Sequence, residues 1–240
     1  MMPTEPSTRN RKATLSRGVQ RWLIREITGI FMVAAMLFIP AGRLDWTMGW
    51  ALVGLYAVWV AATALLLIPR SPELLVERVT HRLGDKRWDN LILILYGLMT
   101  IVKYVTAGLD FRFGWSAPLP LALQIGALIV AVLAYALVTW AMAANAFFAL
   151  ANRIQRERGH TVASGGPYRF IRHPGYLGSI GFELATPVAL GSLWALIPGA
   201  VSAVLMLVRT AFEDRALHGE LPGYPAYARQ TRYRLLPGIW

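Results

Sequence analysis

Between Leu119 and Phe148 the chain runs for thirty residues without one charged side chain, and between Trp46 and Ile68 for twenty-three. Crossing the roughly 30 Å of bilayer hydrocarbon takes about 20 apolar residues. Peptide groups placed there meet no water and must bond within their own segment, as in a helix. Four more apolar stretches follow the same pattern: Ile27–Ala41, extendable back through Trp22 and Leu23, Leu91–Leu109, Pro174–Leu190 and Leu193–Val208. The last two are parted only by Gly191 and Ser192 and read as a tight helical hairpin. With 56% hydrophobic residues and 15% charged, the chain is neither disordered nor an ordinary soluble domain. Its 240 residues hold about five or six spans and leave any chemistry to short loops. The expected fold is therefore an all-α integral membrane protein whose partner is the lipid bilayer.

The polar residues between these runs set the orientation. The formal net charge is +11, and 21 of the 24 Lys and Arg fall in four places: the N-terminus, 70–89, 151–172 and the end of the chain from Arg209. Arg43 and Arg112 lie in the other loops, and Lys103 lies inside a span, where it is expected to snorkel or to face the bundle. By the positive-inside rule both termini are cytoplasmic, in the plasma membrane or the endoplasmic reticulum. This accounts for the basic balance without nucleic acid as a partner. Within 70–89, Leu74, Leu75, Val76 and Val79 share one face, as in an interfacial helix. The first 25 residues are basic and polar, and no small-residue cleavage site marks the apolar run after them, so a cleaved signal peptide is not expected. The fourth span is longer than a bilayer requires and is expected to protrude or tilt.

No cysteine is present, which excludes disulfides, thiolate metal sites and cysteine nucleophiles. The four histidines, at 81, 160, 173 and 218, have no paired metal spacing, so no metal is expected. Neither a Walker loop nor a strand-bound GxGxxG occurs. What remains crowds into two pieces flanking the hairpin, 155–176 and 209–240, and a hairpin returns its two ends to one membrane face. In the first piece, Pro174 suits the first turn of a helix and drives His173 out of the α region, so Arg172-His173-Pro174-Gly175-Tyr176 feeds a helix N-terminus whose free N–H groups favour an anion. His173 alone would be an ordinary capping residue; beside Arg172, Tyr168 and Tyr176 it reads as part of a site. In the second piece, Arg209 and Glu213 stand one helical turn apart, as do Asp214 and His218. Tyr224, Tyr227 and Tyr233 fit either a headgroup-level aromatic belt or a ligand wall. Glu183, within the first hairpin helix, is costly in hydrocarbon and is a candidate by itself.

From about Asn145 onward the strings RIQRERGHTVASGGPYRFIRHPGYLG, RTAFEDRAL and ELPGYPAYARQTRYRLLPGIW resemble the isoprenylcysteine carboxyl methyltransferase-like integral membrane enzymes. The first 140 residues are similar to that family only as membrane spans. The chain is expected to divide into a basic cytoplasmic segment (1–25) and a transmembrane region with an interfacial helix near 70–89 (26–144), and the resemblance implies a methyltransferase region (145–240) after them. It implies S-adenosylmethionine in a cytoplasmic cofactor pocket closed by the C-terminal segment, and a lipophilic methyl acceptor arriving from the bilayer. The cofactor residues it implies are Gln155, His160, Thr161, Val162, Ala163, Tyr168, His173, Pro174, Gly175, Tyr176 and Glu213. The residue for the acceptor carboxylate is Arg209. Two features depart from the pattern: the acidic doublet is Glu213-Asp214 in place of Glu-Glu, and Glu183 is not a general family feature.

The chemistry agrees with this. Methyl transfer from a sulfonium is an in-line displacement in which alignment does most of the work, and a carboxylate nucleophile needs a positioning cation, not a base. An amine or thiol acceptor, as in the phospholipid methyltransferases and their relatives, would need one, from His173, Glu183 or Asp214. An NADPH-dependent sterol-type reductase has a similar RHP-containing end, but this chain has Gly175 and Ser179 where that class would carry an Asn and an acid. A non-enzymatic scaffold explains the spans and leaves the clustered His, Tyr and acid unexplained.

Overall fold

A computed structural model describes residues 8–80, 83, 84 and 86–240, with side chains from Leu15 onward. The first seven residues, the side chains of Arg9, Arg11 and Lys12, and the expectations placed on His81 and Arg82 lie outside the described residues. Those described are all-helical, with no strand: α1 (Thr8–Ala41), α2 (Thr47–Leu67), α3 (Pro72–Thr80), α4 (Arg87–Phe113), α5 (Leu121–Ala144), α6 (Pro174–Ala189), α7 (Leu196–Glu220) and α8 (Tyr224–Gln230). Five of them, α1, α2, α4, α5 and α7, are long and apolar enough to cross a membrane. Phe31, Ile39 and Leu65, exposed by 71%, 76% and 77%, point outward from them, as side chains that meet lipid do.

The helices extend beyond the apolar runs where polar sequence still favours a helix. α1 continues N-terminally to Thr8 through the basic segment, and α7 continues past Val208 to Glu220, which carries Arg209, Glu213 and Asp214 on one rigid element. The stretch expected to form an interfacial helix contains the short α3. α5 stops at Ala144, before the end of its apolar run, because Asn145 folds its side chain back to accept the Phe147 N–H at 2.9 Å. Gly114, in the left-handed region at φ 66°, closes α4 with its N–H on the Asp110 carbonyl at 2.7 Å.

Although α6 has only 16 residues, about 24 Å of helix, it does reach the far end of the bundle. There the turn after it is tied to the α4–α5 loop: the Asp110 carboxylate accepts the Ser116 N–H (2.7 Å), the Ser116 hydroxyl (2.5 Å) and the Ser192 hydroxyl (2.5 Å). At the near end, Asp89 at the start of α4 meets Arg209 of α7. The hairpin is thus formed, with the outer end of α7 beside the start of α4.

Around the bundle each long helix touches two neighbours in the circuit α1–α2–α5–α6–α7–α4 and back to α1, while α3 lies against α1 and α2. The far end of this ring is filled by Leu37, Phe38, Trp46, Ala107, Ala131 and Ala185, with Trp46 stacked on Phe111 at 4.4 Å. Toward the near end the packing gives way to a cavity. The α5–α6 seam depends on Gly178, where a Cβ would lie 2.7 Å from the Ala134 carbonyl oxygen. Gly178→Ala is expected to force these helices apart and cost about 1–3 kcal/mol, read as a lowered unfolding midpoint in detergent.

Candidate active site

The two chain pieces flanking the hairpin meet directly. The Arg172 and His173 N–H groups donate to the Tyr233 and Arg234 carbonyls, each at 2.9 Å. The Arg172 side chain donates to the carbonyls of Thr231 (2.9 Å) and Arg232 (2.6 Å). Tyr227 donates its hydroxyl to the Tyr168 carbonyl at 2.7 Å.

One carboxylate holds this junction. Asp214 accepts from Arg172 Nε (2.8 Å), Tyr224 Oη (2.8 Å) and Arg234 Nε (2.8 Å), with His173 Nε2 at 3.2 Å, and is itself buried. The acidic doublet therefore divides its labour. Asp214 faces the protein and staples the tail to the connector. Glu213 faces the other way, accepts the Tyr176 hydroxyl at 2.5 Å, and keeps 23% of its side chain accessible. Burial raises the Tyr168 phenol above its ordinary pKa, and Tyr227 is pushed up to about 12, again mainly by burial. Tyr224 is raised as well, by burial and then by the Asp214 charge, so all three remain hydroxyl donors.

Beneath this junction lies a cavity of about 1090 Å³, larger than the roughly 300–1000 Å³ of a pocket for one small ligand. Its loop-side wall carries His160, Thr161, Val162, Ala163, Tyr168, His173, Gly175, Tyr176 and Glu213. It continues past Arg209 into the ring of helices, between Tyr96 and Tyr104 of α4, Tyr135 of α5 and Phe182 of α6, and reaches Met32 and Trp59 on α1 and α2. The sequence-predicted residues thus converge, with two exceptions. Gln155 is fully buried behind the wall, its Nε2 donating to the Phe147 carbonyl at 3.0 Å and its Oε1 accepting from Arg158. Pro174 is buried in the first turn of α6 and also stays off the wall.

The 160–163 stretch belongs to no helix. Among the described residues, Thr161, Val162 and Ala163 spend neither N–H nor carbonyl on a bond within the chain, which leaves a row of backbone donors and acceptors for a polar ligand. His160 is fixed by stacking on Phe147 at 4.4 Å, and its Nδ1 accepts the Gln155 N–H at 3.2 Å. That places the proton of the neutral ring on Nε2. Burial lowers the pKa of this imidazole, so the neutral form is the one the fold selects.

Arg209 departs from the expected geometry. The bidentate pairing anticipated for a bound carboxylate is already made with Asp89: Nε to Oδ1 at 2.7 Å and Nη2 to Oδ2 at 3.2 Å. Nη2 also reaches the Leu150 carbonyl at 2.5 Å, and the guanidinium lies 5.3 Å from the Tyr176 ring centre. A ligand carboxylate is left the Nη1 edge. Sequence reasoning missed Asp89, whose only signal was an acid at the membrane boundary of an apolar span. It also left Lys103 and Glu183 as separate questions, and the structure pairs them at 2.7 Å, both fully buried, with Tyr96 donating to Glu183 at 2.9 Å. Lys103 faces the bundle and does not snorkel.

Residues 127–219 match the Isoprenylcysteine carboxyl methyltransferase (ICMT) family, which bears out the resemblance carried by the motifs. No curated protein matches the chain. The matched region supplies α6, most of α7 and the connector, and so most of the loop-side wall.

Two outcomes follow from this geometry. Asp214→Ala leaves Arg172 buried without its carboxylate and is expected to cost about 3–5 kcal/mol and to expose the tail to proteolysis, read by limited digestion. His160 binds its proton less readily folded than unfolded, so the stability it contributes is present above the ordinary histidine value of about 6.5 and is lost as pH falls through the folded pKa. The fall in melting temperature on acidification is expected to shrink in His160→Gln.

Proposed function

We propose that this ICMT-like membrane methyltransferase uses S-adenosylmethionine to methylate a lipophilic acceptor, the carboxylate of an isoprenylated cysteine being the acceptor type that fits best. The observation carrying the reading is the single cavity that joins a polar, loop-lined end to an apolar interior between the helices. When bound, S-adenosylmethionine supplies a methyl group activated on a sulfonium sulfur.

The loop-side residues fit such a group. Glu213, partly accessible and oriented by Tyr176, accepts hydrogen bonds from hydroxyl or amino groups. The free backbone groups of 161–163 match a nucleoside's polar edges, and the first amides of α6, beginning with Gly175, favour a carboxylate. Tyr168, Tyr224 and Tyr227 line the same end and give it aromatic surface.

Arg209 sits where the two ends of the cavity meet. Its bonds to Asp89 and Leu150 fix the guanidinium, so Nη1 presents one oriented donor to an acceptor carboxylate. Locking a nucleophile in line is worth orders of magnitude in rate, and a carboxylate requires no proton removal. The basic loops flanking the site support a cytoplasmic face for it by the positive-inside rule.

Glu213→Ala is expected to abolish binding of S-adenosylhomocysteine, measured by calorimetry on detergent-purified protein. Arg209→Lys keeps a cation for Asp89 but loses the fixed donor, and is expected to retain that binding while turnover falls about 100-fold. Unchanged turnover in both variants, or binding of NADPH in place of S-adenosylhomocysteine, overturns the reading.

A further inference from the structure

Of the buried arginines, Arg172 and Arg209 each have an aspartate, and the half-buried Arg25 and Arg153 each have a glutamate. Arg78 has none. It lies on α3 and lines the cavity, with its guanidinium 5.6 Å from the centre of the Phe148 ring. Among the described residues its side chain makes neither an ion pair nor a hydrogen bond. Its backbone carbonyl is engaged, accepting from Arg25 Nη1 at 2.7 Å, which brings a second cation alongside. Arg25 is offset by Glu26, whose other oxygen accepts the Tyr56 hydroxyl at 2.9 Å. Arg209 is near enough for its charge to weigh on Arg78, but that charge is offset by Asp89. Arg21 adds a further cation at the same mouth.

Along this wall the paired cations supply geometry and little net field, whereas Arg78 has no carboxylate in contact and only the nearby charge of Glu26, shared with Arg25, to offset it in a partly desolvated place. The lone guanidinium is costly as it stands: burial, and then Arg25, bring its pKa down to about 10. An anion placed against it relieves that cost, and a planar fork is well suited to a carboxylate or phosphate.

We propose that Arg78 is the charge that selects the acceptor, binding the anionic group of an amphiphile whose apolar part occupies the helical end of the cavity. This deepens the proposed function and rests on its assignment of the cavity to an acceptor. Arg209 then orients, Arg78 attracts, and a lipid amine is disfavoured because the same charge repels it.

The test is made without a methyl donor. Dodecanoate, dodecyl phosphate, dodecylamine and dodecanol are each titrated calorimetrically into the full chain in nonionic detergent. At least one of the two anions is expected to bind about 10-fold or more tightly than the amine and the alcohol, and the tighter anion identifies the group as carboxylate or phosphate. Arg78→Gln is expected to erase that margin, and Arg78→Lys to keep the order. An amine or alcohol binding as tightly as both anions overturns the proposal, as does an anion preference that survives in Arg78→Gln. The wild-type ranking applies even if Arg78→Gln does not fold. Because no donor is present, failure here is distinct from failure to bind S-adenosylhomocysteine, which tests the cofactor assignment.

Discussion

The near end of this protein is organised by one carboxylate that protein donors satisfy in place of water. Asp214 gathers two arginines, a tyrosine and a histidine from three stretches of chain and is almost wholly removed from water. A buried acid is tolerable only when so satisfied, and the partners are costly to bury without it. The tail has little apolar packing of its own beyond Leu221, Tyr224, Tyr227 and Leu235, so this cluster holds it over the cavity. Because the neighbouring Glu213 shares the helix, fixing one acid against the protein aims the other into the open space.

Charge along the cavity wall follows a similar division. Deep in the ring, where hydrocarbon surrounds the bundle, Lys103 and Glu183 cancel each other. At the waist, Arg209 and Asp89 do the same. Near the connector and α3 charges are left partly free, in Glu213 on one side and in Arg78, with Arg21 beside it, on the other. A polar ligand is accommodated where water can still reach, and the membrane-embedded portion stays neutral overall, as the desolvation cost of a lone charge requires.

The spans were legible because hydrocarbon thickness and backbone bonding leave an apolar run few alternatives, and five of the six anticipated segments are long helices. The sixth, α6, is shorter than a bilayer but ends where a crossing should, since Ser192 meets Asp110. The motifs placed ten of the twelve candidate residues on one wall. A motif fixes order along the chain and not which side of a wall a residue takes, which is why Gln155 and Pro174 fall behind it. Arg78 and Asp89 were not legible as site residues: each looks like a charge on a solvated boundary helix, and their roles arise from partners or openings far away in sequence. Arg209 and Asp89, 120 residues apart, meet only because α4 and α7 are neighbours in the ring.

No septum divides the cavity, so under the proposed function its two ends are supplied by different solvents. A water-soluble ligand reaches the loop end at its bulk concentration. One with an apolar tail, reaching the space from within the bilayer, is governed by its mole fraction in lipid. Diluting the membrane with inert lipid would therefore slow delivery to one end and leave the other untouched, even with every molecule in the sample conserved.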